Sequence, residues 1–382
     1  MTYIWEHPDW PQLTWDAAPL LPLVSQARKS QGIFLAKVKN LGFEMGGQAQ
    51  ADILTEEAIK TSAIEGERLN RESVRSSVAR HLGLSDAGLN AETRSVDGLV
   101  EVLLDATGNY NKPLTDERLK GWQAALFPTG FSGFSRIRIG EWRDRGMRVV
   151  SGPVGREKVH FEAPPDERVE KEMKRFLAWW ESSLKSEDGL LRAGVAHFYF
   201  VTIHPFEDGN GRVARALTDR ALAQDEKLGV RYYSFSSRIM QEREGYYRIL
   251  ETSSKDAGVD ITSWLEWFLG CYKRAIDDSE KIIGHVLAKA EFWKTYGGLT
   301  LNERQRKAVN RMLDAGTGGF FGGLTTRKYV AMAQVSRATA FREIADMLEK
   351  RILHQLPGKG RSAHYDLAWP SVVRDAQDNG KQ

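Results

Sequence analysis

Apolar residues recur every three to four positions over most of this chain, and this spacing indicates amphipathic α-helices. In the stretch 93–104, for example, Val96, Leu99, Val100 and Leu103 fall on one helical face. The same spacing predicts helices over 24–41, 48–64, 167–183, 190–203, 213–222, 239–250, 262–283, 325–333 and 336–350. The expected fold class is therefore mainly α.

Two pairs of short β-prone runs interrupt the helical pattern. Residues 147–150 and 159–162 flank a turn that contains glycine and proline, and they predict a β-hairpin. Residues 352–356 and 363–367 form a similar pair after the last two predicted helices. Helix, turn, helix and hairpin is the order of a winged helix-turn-helix domain, which we expect at the C-terminal end.

The first 22 residues are rich in tryptophan and proline, with Pro8, Pro11, Pro19 and Pro22 spread through them. Proline at this density argues against a helix, and we expect an aromatic arm that packs onto the body of the protein. The predicted organisation has four segments, which are an N-terminal arm over 1–23, a helical region over 24–110, a helical core over 111–290 and a winged helix over 291–382.

Composition narrows the class of protein only slightly. A chain of 382 residues with 41% hydrophobic residues and a net charge of +3 is typical of a globular protein with two or three domains. The single cysteine, Cys271, excludes an internal disulfide and a multi-cysteine zinc site, and its apolar surroundings predict a core residue. Neither a signal-peptide pattern nor a long apolar run is present. We expect a soluble cytoplasmic protein with no membrane partner.

Charge is distributed unevenly along the chain. The stretch 299–369 contains 12 Lys and Arg against 6 Asp and Glu, a net charge of +6, so the remaining residues sum to −3. A basic module on an acidic body is the electrostatic pattern expected for nucleic-acid binding. Many winged helices make only protein contacts, however. Both DNA binding and a dimerisation or docking role therefore stay open for this segment.

The stretch between the predicted helices 190–203 and 213–222 carries the most chemistry. It contains His204, Pro205, Phe206, Glu207, Asp208, Gly209, Asn210, Gly211 and Arg212, and Arg215 follows three residues later. A loop that leads into a helix N-terminus offers free N–H groups to an anion, and glycines let the backbone close around a phosphate. Aspartate is an oxygen ligand for Mg²⁺, arginines grip phosphates, and histidine titrates near neutral pH. The stretch predicts a base beside a metal-bound polyphosphate.

The spacing His-Pro-Phe-x-Asp-Gly-Asn-Gly-Arg-x-x-Arg at 204–215 resembles the core motif of the Fic (Fido) proteins at every defined position. These proteins mostly transfer AMP from ATP to a protein hydroxyl, and their helical core carries a β-hairpin flap. The first residues, from Tyr3 to Pro11, also resemble the N-terminal segment of one long subgroup of Fic proteins. The resemblance implies a Fic-type helical core followed by the winged helix.

The resemblance also implies a role for each residue of the motif. His204 would be the general base that takes the proton from the target hydroxyl, and Asp208 would hold Mg²⁺ on the phosphates of ATP. The backbone N–H groups of Gly209, Asn210 and Gly211 would form an anion cradle, with the Asn210 side chain as a further candidate donor, while Arg212 and Arg215 would grip the β- and γ-phosphates.

A second short motif precedes the core motif by about 140 residues. By itself, the run from Thr61 to Gly66 predicts a helix end with Gly66 beyond the last turn and a surface glutamate at Glu65. The run Ser/Thr-x-x-x-Glu-Gly also resembles the Fic inhibitory motif. The resemblance implies that Glu65 pairs with Arg215, occupies the arginine meant for the γ-phosphate and forces ATP into an unreactive pose.

Two further parts of the chain are candidates for nucleotide contacts. The resemblance implies that the hairpin turn, with Val154 and Gly155, covers the nucleotide and that the hairpin pairs through its main chain with the target segment. A hairpin with only a structural role is the alternative. Tyr246 and Tyr247 correspond to a family segment that often supplies an aromatic ring to the nucleobase, but their helical spacing is equally consistent with packing.

The predicted function is that of a protein adenylyltransferase that moves AMP from ATP to a Ser, Thr or Tyr hydroxyl and is restrained by Glu65. Its expected partners are a target protein, which could be the chain itself, a second copy of the chain in a homodimer, and DNA through the winged helix. Two alternatives stay open. One is an enzyme that removes AMP, and the other is a DNA-binding regulator in which the Fic body acts as a sensor.

Overall fold

The computed structural model describes residues 2–39, 43–84, 94–151, 158–255, 258–315, 320–357 and 363–370. The chain divides into two compact units, Met1–Ser279 and Glu280–Gln382. Helices dominate both units, which confirms the predicted mainly α fold class. The finer division into four segments stays a prediction. One long helix, Thr262–Tyr296, runs through the predicted boundary at 290 and through the boundary between the two units.

The first unit is built from helices and two small antiparallel ladders. Its helices are α1 (Ala17–Val38), α2 (Phe43–Ile64), α3 (Arg71–His81), α4 (Arg94–Gly108), α5 (Asp116–Leu126), α6 (Asp166–Ser183), α7 (Gly189–Ile203), α8 (Asn210–Glu226), α9 (Phe235–Gln241), α10 (Arg243–Ser253) and the first part of α11 (Thr262–Tyr296). Its strands pair β1 (Phe131–Ser132) with β2 (Ser135–Arg136), and β3 (Arg148–Ser151) with β4 (Lys158–Glu162).

Helix α7 forms the centre of the first unit. Its sequence is predominantly apolar, and nearly all of its side chains are buried, including those of Arg192 and His197. It packs most extensively against α8, and Tyr199 meets Phe176 of α6 edge to face at 5.3 Å between ring centroids. The loop that follows α7 therefore starts from the most rigidly packed element of the unit.

The prediction that residues 1–22 contain no helix is wrong at their C-terminal end, because α1 begins at Ala17. The Asp16 side chain accepts a hydrogen bond from the Ala18 N–H at 2.9 Å and caps the helix. Pro19 lies in the first turn, where a missing N–H costs nothing. Only Pro22 removes an interior hydrogen bond, and one such loss is tolerated in a helix of this length.

The preceding residues contact the body of the first unit, and their assignment as a separate arm stays a prediction. The Trp10 indole N–H donates to Glu172 Oε2 at 3.0 Å, and its ring meets Tyr199 edge to face at 5.1 Å. The Trp5 indole N–H donates to the Glu162 carbonyl oxygen at 2.7 Å. The arm is thereby attached to α6, α7 and β4 by both apolar and hydrogen-bonded contacts.

The second unit contains the end of α11, then α12 (Glu303–Ala315), α13 (Thr326–Ala333), α14 (Arg337–Glu349), β5 (Leu353–Gln355) and β6 (Tyr365–Leu367). Strands β5 and β6 are antiparallel, and Leu324 forms an isolated bridge with Tyr365. Helix α14 is capped by Ser336, whose Oγ accepts from the Thr339 N–H at 3.2 Å. This order of elements is the one expected of a winged helix, and the assignment itself stays a prediction.

Two other expectations can be compared directly with the structure. The single predicted helix over 239–250 is divided into α9 and α10 at Glu242, whose carboxylate is bound by Arg238 and Arg274. Cys271 is buried in the core, as predicted. None of the described helices combines the length and apolar character needed to cross a bilayer.

Candidate active site

The motif loop is fixed at both ends by local geometry. His204 caps the C-terminus of α7 in the left-handed conformation, with φ 51° and ψ 57°, which is uncommon for a residue other than glycine. The buried Asn210 side chain then closes the loop, because its Oδ1 accepts from the Phe206 N–H at 2.9 Å and its Nδ2 donates to the Phe206 carbonyl at 2.8 Å. Both polar atoms of the Asn210 side chain thus hold the loop in shape.

Arg143 supports the loop from below and was not identified from the sequence. Its guanidinium is buried and donates to the carbonyls of His204 at 2.8 Å and of Arg145 at 2.8 Å. Its own N–H donates to the Pro205 carbonyl at 2.9 Å. A cation at the C-terminus of α7 complements the helix dipole. The only sequence signal was an arginine in a loop, which does not distinguish such a support from a solvated side chain.

The His204 ring has the geometry of a neutral base. Its Nδ1–H donates to the Val201 carbonyl at 3.2 Å, which leaves the lone pair on Nε2. Burial lowers the pKa of His204 to about 4, although the Val201 carbonyl and the carboxylates of Glu65 and Asp208 oppose the shift. At neutral pH the imidazole is therefore uncharged and can accept a proton.

Asp208 lies beside the N-terminus of α8. Its Oδ1 accepts from the Gly209 N–H at 2.6 Å, and its Oδ2 accepts from the Ser132 hydroxyl. The carboxylate is only partly buried, so it can still take a cation. One carboxylate next to a phosphate-binding helix end is a donor set that suits Mg²⁺, which keeps several waters and shares phosphate oxygens. The neighbouring Glu207 differs, because it is bound by the Arg138 N–H and by Arg145.

Gly211 permits a close approach to the first turn of α8. A Cβ at this position would collide with Glu65 Oε1. The carboxylate of Glu65 therefore lies directly against the backbone of the helix N-terminus, where free N–H groups attract anions. Glu65 occupies space that a phosphate would otherwise use.

Glu65 also pairs with Arg215 inside the protein. Glu65 Oε1 lies 2.7 Å from Arg215 Nη2, and the arginine further donates to Thr61 Oγ1 at 2.6 Å and to the Thr61 carbonyl at 2.9 Å. Burial works to lower the pKa of Arg215, but attraction to Glu65 outweighs it and the pKa lies above its ordinary value. The predicted contact between the two motifs is thus present in the geometry.

A second carboxylate of the same turn was missed by the sequence analysis. Glu67 Oε2 lies 3.1 Å from Arg212 Nη1, and the Arg212 guanidinium also stacks over the Phe127 ring at 4.7 Å from its centroid. Both arginines of the motif are therefore held by the turn that ends α2. The run Glu65-Gly66-Glu67 does not by itself predict the contact with Arg212, because acidic residues in a turn are common.

Comparison with known proteins identifies the domain that contains this site. Residues 113–222 match the Fic/DOC family, and residues 3–84 match a domain of unknown function, DUF4172. This chain carries a Fic/DOC family domain. The Fic domain includes the motif loop, α7 and most of α8, whereas the arm and α2 with its two glutamates belong to the DUF4172 match.

Curated relatives of the Fic domain are nucleotidyl transferases by name. A probable protein adenylyltransferase of Aquifex aeolicus is 30% identical over 128 residues, which are 32% of this chain and 40% of that protein. The protein adenylyltransferase Fic of Nematostella vectensis is 32% identical over 120 residues, 30% of this chain and 25% of that protein. A uridine 5'-monophosphate transferase of Xanthomonas campestris is 30% identical over 118 residues, 29% of this chain and 21% of that protein. The chain thus spans less than half the length of these relatives.

Solved structures establish the fold. A Fic family protein from Desulfovibrio desulfuricans superposes with a TM-score of 0.57 at 19% identity, and the match covers 94% of this chain and 98% of that one. A Fic domain containing signalling protein from Bacteroides thetaiotaomicron gives 0.51 at 18% identity, over 70% of this chain and 98% of that one. The mainly helical Fic fold expected from the motif is confirmed.

The remaining predicted contacts lie at the edge of the Fic domain. Val154 and Gly155 fall outside the described residues, but β3 and β4 pair from Arg148 with Glu162 to Ser151 with Lys158, so the hairpin itself is present. Tyr246 is 2% exposed, and its hydroxyl meets His197 Nε2 at 2.9 Å within the core. Tyr247 keeps an exposed ring edge and donates to the Ile64 carbonyl at 3.1 Å. Of the two tyrosines, only Tyr247 has ring surface for a ligand.

Proposed function

We propose that this protein is an adenylyltransferase that transfers AMP from ATP to a Ser, Thr or Tyr hydroxyl of a target protein, and that Glu65 restrains it. The observation that carries the proposal is the meeting of a neutral histidine, a partly exposed aspartate and two arginines at one helix N-terminus. These are the parts that nucleotidyl transfer needs, namely a base, charge neutralisation and an anion cradle. The names of the relatives support the same class of reaction.

In the proposed reaction His204 Nε2 takes the proton of the target hydroxyl. The hydroxyl oxygen forms a bond to the α-phosphorus of ATP, and the bond from that phosphorus to the bridging oxygen breaks, so that pyrophosphate leaves. The N–H groups at the start of α8 and the guanidinium of Arg212 bind phosphate oxygens. Asp208 would hold Mg²⁺, which offsets negative charge on the phosphates.

The restraint by Glu65 follows from competition for one guanidinium. Arg215 is buried, and its Nη2 and Nε already bind the Glu65 carboxylate and two Thr61 oxygens, so a γ-phosphate that takes the place of the carboxylate requires Glu65 to leave. The same carboxylate also lies over Gly211, where a phosphate oxygen would bind. When Glu65 is removed, Arg215 loses a partner within the protein and can bind the nucleotide instead.

The test compares wild type, Glu65→Gly, Glu65→Gly/His204→Ala and the control Glu181→Gly, a surface substitution on α6. Each protein is incubated with Mg²⁺ and either ATP or UTP, and the intact mass of the chain and of added lysate proteins is measured. We expect an AMP adduct from ATP with Glu65→Gly, a weak one with wild type and with the control, and none without His204. A UMP adduct from UTP would reassign the nucleotide, and no adduct from either would contradict the transferase.

Removal of AMP is a rival reaction, because Glu65 lies against the phosphate cradle and could orient a water molecule there. The two reactions respond oppositely to the same substitution. Loss of Glu65 releases a transferase but disables a hydrolase. Incubation of an AMP-modified target with wild type and with Glu65→Gly therefore separates them.

A second candidate function, DNA binding, is favoured by the exposed face of α14. Arg337 and Arg342 are exposed there together with Phe341, which is 67% exposed, and within the described residues neither arginine has a carboxylate partner. A basic helix face after a helix-turn is a common arrangement for groove binding. A salt-dependent gel shift with duplex DNA that Arg337→Ala/Arg342→Ala abolishes, and the α12 substitution Lys307→Ala leaves intact, would support it. No shift with wild type would exclude DNA binding.

Cytoplasmic location and dimerisation stay predictions.

A further inference from the structure

One turn delivers two carboxylates to the two motif arginines. Glu65 Oε1 meets Arg215 Nη2 at 2.7 Å, and Glu67 Oε2 meets Arg212 Nη1 at 3.1 Å. The arginines are three residues apart in the first turns of α8, so they lie on one face, and the glutamates are separated only by Gly66. The two arginines on α8 are therefore spaced so that each one meets one glutamate of the turn.

The turn has a defined shape that keeps both glutamates in register. The Glu67 N–H donates to the Ser62 carbonyl at 3.0 Å, and the Gly66 N–H donates to the Ala63 carbonyl at 3.0 Å, which together form a Schellman motif. Gly66 has φ 87°, a conformation that a residue with a Cβ rarely adopts. The two carboxylates therefore move as one unit with the end of α2.

The end of α2 is fixed from two sides. The Ile64 carbonyl accepts from Arg243 Nε at 2.8 Å and from the Tyr247 hydroxyl at 3.1 Å. Further along the helix, Glu57 accepts from the Ser234 hydroxyl at 2.7 Å and from the Ser236 N–H at 3.1 Å. Because these contacts hold α2 against α9 and α10, the turn does not depend on the glutamates alone for its position.

Arg212 is otherwise ready for an anion. Within the described part of the chain, its buried Nε–H has no hydrogen-bond partner, which leaves a donor available for a phosphate oxygen. The Phe127 ring supports the guanidinium from one side. The arginine can thus keep its position after its partner is lost, and only the acceptor changes.

We infer that Glu67 is a second positioning residue of the proposed reaction, which withholds Arg212 from the nucleotide as Glu65 withholds Arg215. The inference rests on the proposed function for its consequence in catalysis, but its primary effect is on nucleotide binding. In the proposed function Arg212 would bind the β-phosphate, which ADP and ATP share, whereas Arg215 would bind the γ-phosphate, which only ATP has. Glu67 should therefore weaken the binding of both nucleotides equally. Glu65, which pairs with Arg215 and also lies over Gly211, should weaken the binding of ATP more than that of ADP.

The experiment measures the affinities of ADP and ATP with Mg²⁺ for the full chain by calorimetry. Variants are Glu67→Ala, Glu65→Ala, both together, and Glu181→Ala as control. We expect Glu67→Ala to bind both nucleotides about threefold to fivefold more tightly, the range of a half-exposed ion pair. Glu65→Ala should raise the preference for ATP over ADP by about tenfold, the strength of one charged hydrogen bond. In an Arg212→Ala background the effect of Glu67→Ala should disappear.

Unchanged affinities in Glu67→Ala, or the same gain in the Arg212→Ala background, would overturn the inference. These outcomes are separable from a failure of the proposed function. If Glu67→Ala has no effect while Glu65→Gly still forms an AMP adduct, the transferase stands and the role of Glu67 falls. If Glu67→Ala strengthens both nucleotides but no variant forms an adduct, Glu67 controls a nucleotide site that serves another reaction.

Discussion

The two ion pairs at the end of α2 are built from the same parts and differ in burial. The Arg215 side chain is 1% exposed and its partner Glu65 is 33% exposed, whereas Arg212 is 10% exposed and Glu67 is 44% exposed. A buried guanidinium that loses its carboxylate cannot bind water in its place. In a half-exposed pair, water can replace the lost carboxylate. We conclude that Glu65 is the stronger restraint and Glu67 the adjustable one.

Burial also decides what each arginine has besides its glutamate. Arg215 has the hydroxyl and the carbonyl of Thr61, both from the helix that carries Glu65. Arg212 has an aromatic ring from Phe127, outside that helix. Movement of α2 would therefore remove the Glu65 and Thr61 partners of the Arg215 guanidinium but leave the contact between Arg212 and Phe127 in place.

The largest expected effect is on the stability of the nucleotide-free protein. Glu65→Ala leaves the buried Arg215 without its carboxylate, and we expect the free energy of unfolding to fall by about 2 kcal/mol, at the low side of such losses because Thr61 remains. Glu67→Ala should cost less than about 1 kcal/mol. Denaturant unfolding measures both, and saturating ATP with Mg²⁺ should restore most of the loss in Glu65→Ala. Equal losses in the two variants would contradict the comparison.

A substitution at Gly211, on the α8 side of the contact with Glu65, sharpens the comparison between the two ion pairs. In Gly211→Ala the new Cβ collides with the Glu65 carboxylate, and overpacking of this kind costs about 1 to 2 kcal/mol. In a Glu65→Ala background the collision with the carboxylate is absent and only a close approach to Arg215 Nη1 at 3.1 Å remains, so the same substitution should cost less. A Glu67→Ala background should leave the full cost. Thermal unfolding of the three Gly211→Ala proteins and of their three parents measures the coupling. Additive costs would show that Glu65 does not lie over Gly211.

Salt concentration should also distinguish the two ion pairs, through a smaller difference in stability. The screening length falls from about 10 Å at 0.1 M salt to about 3 Å at 1 M, and exposed charges respond most. The destabilisation by Glu67→Ala should disappear in high salt, while that by Glu65→Ala should persist. Unfolding midpoints at both salt concentrations test this, with Glu181→Ala as the reference for non-specific effects. If high salt removed the destabilisation by both variants, the pair between Glu65 and Arg215 would have to lie at the surface.

The smallest expected effect is on the titration of His204. Burial lowers its pKa to about 4, and Glu65 is one of the groups that raise it. Glu65→Ala should therefore lower the pKa further, and Glu67→Ala should leave it unchanged. The neutral base is present above the pKa and is lost as the pH falls through it. NMR titration of the ring, assigned with His204→Ala, measures the shift. A pKa near the ordinary value of about 6.5 would contradict the enclosed site.

The sequence predicts most of the motif loop because its geometry is local. His204, Asp208 and the two arginines are within twelve residues, and a helix start places them together. The contact between Glu65 and Arg215 crosses 150 positions and was expected only through the resemblance to the family. The role of Glu67 depends on how α2 meets α8, which no periodicity encodes.

Other features escaped the sequence for the same reason. Tyr246 and Tyr247 are adjacent in one helical pattern, yet only packing against His197 decides that Tyr246 is the enclosed one. The support of the loop by Arg143 depends on carbonyl groups that point toward it, which a sequence does not display. The start of α1 was missed because the count of prolines outweighed the local cap at Asp16.

The most direct test of the account is the initial rate of AMP incorporation from α-labelled ATP by Glu65→Gly relative to wild type, with Glu65→Gly/His204→Ala as the background. The account predicts a rate at least about tenfold above wild type, as expected when one charged contact no longer competes, and a return to background without His204. Equal rates in wild type and Glu65→Gly, or incorporation that survives the loss of His204, would contradict it.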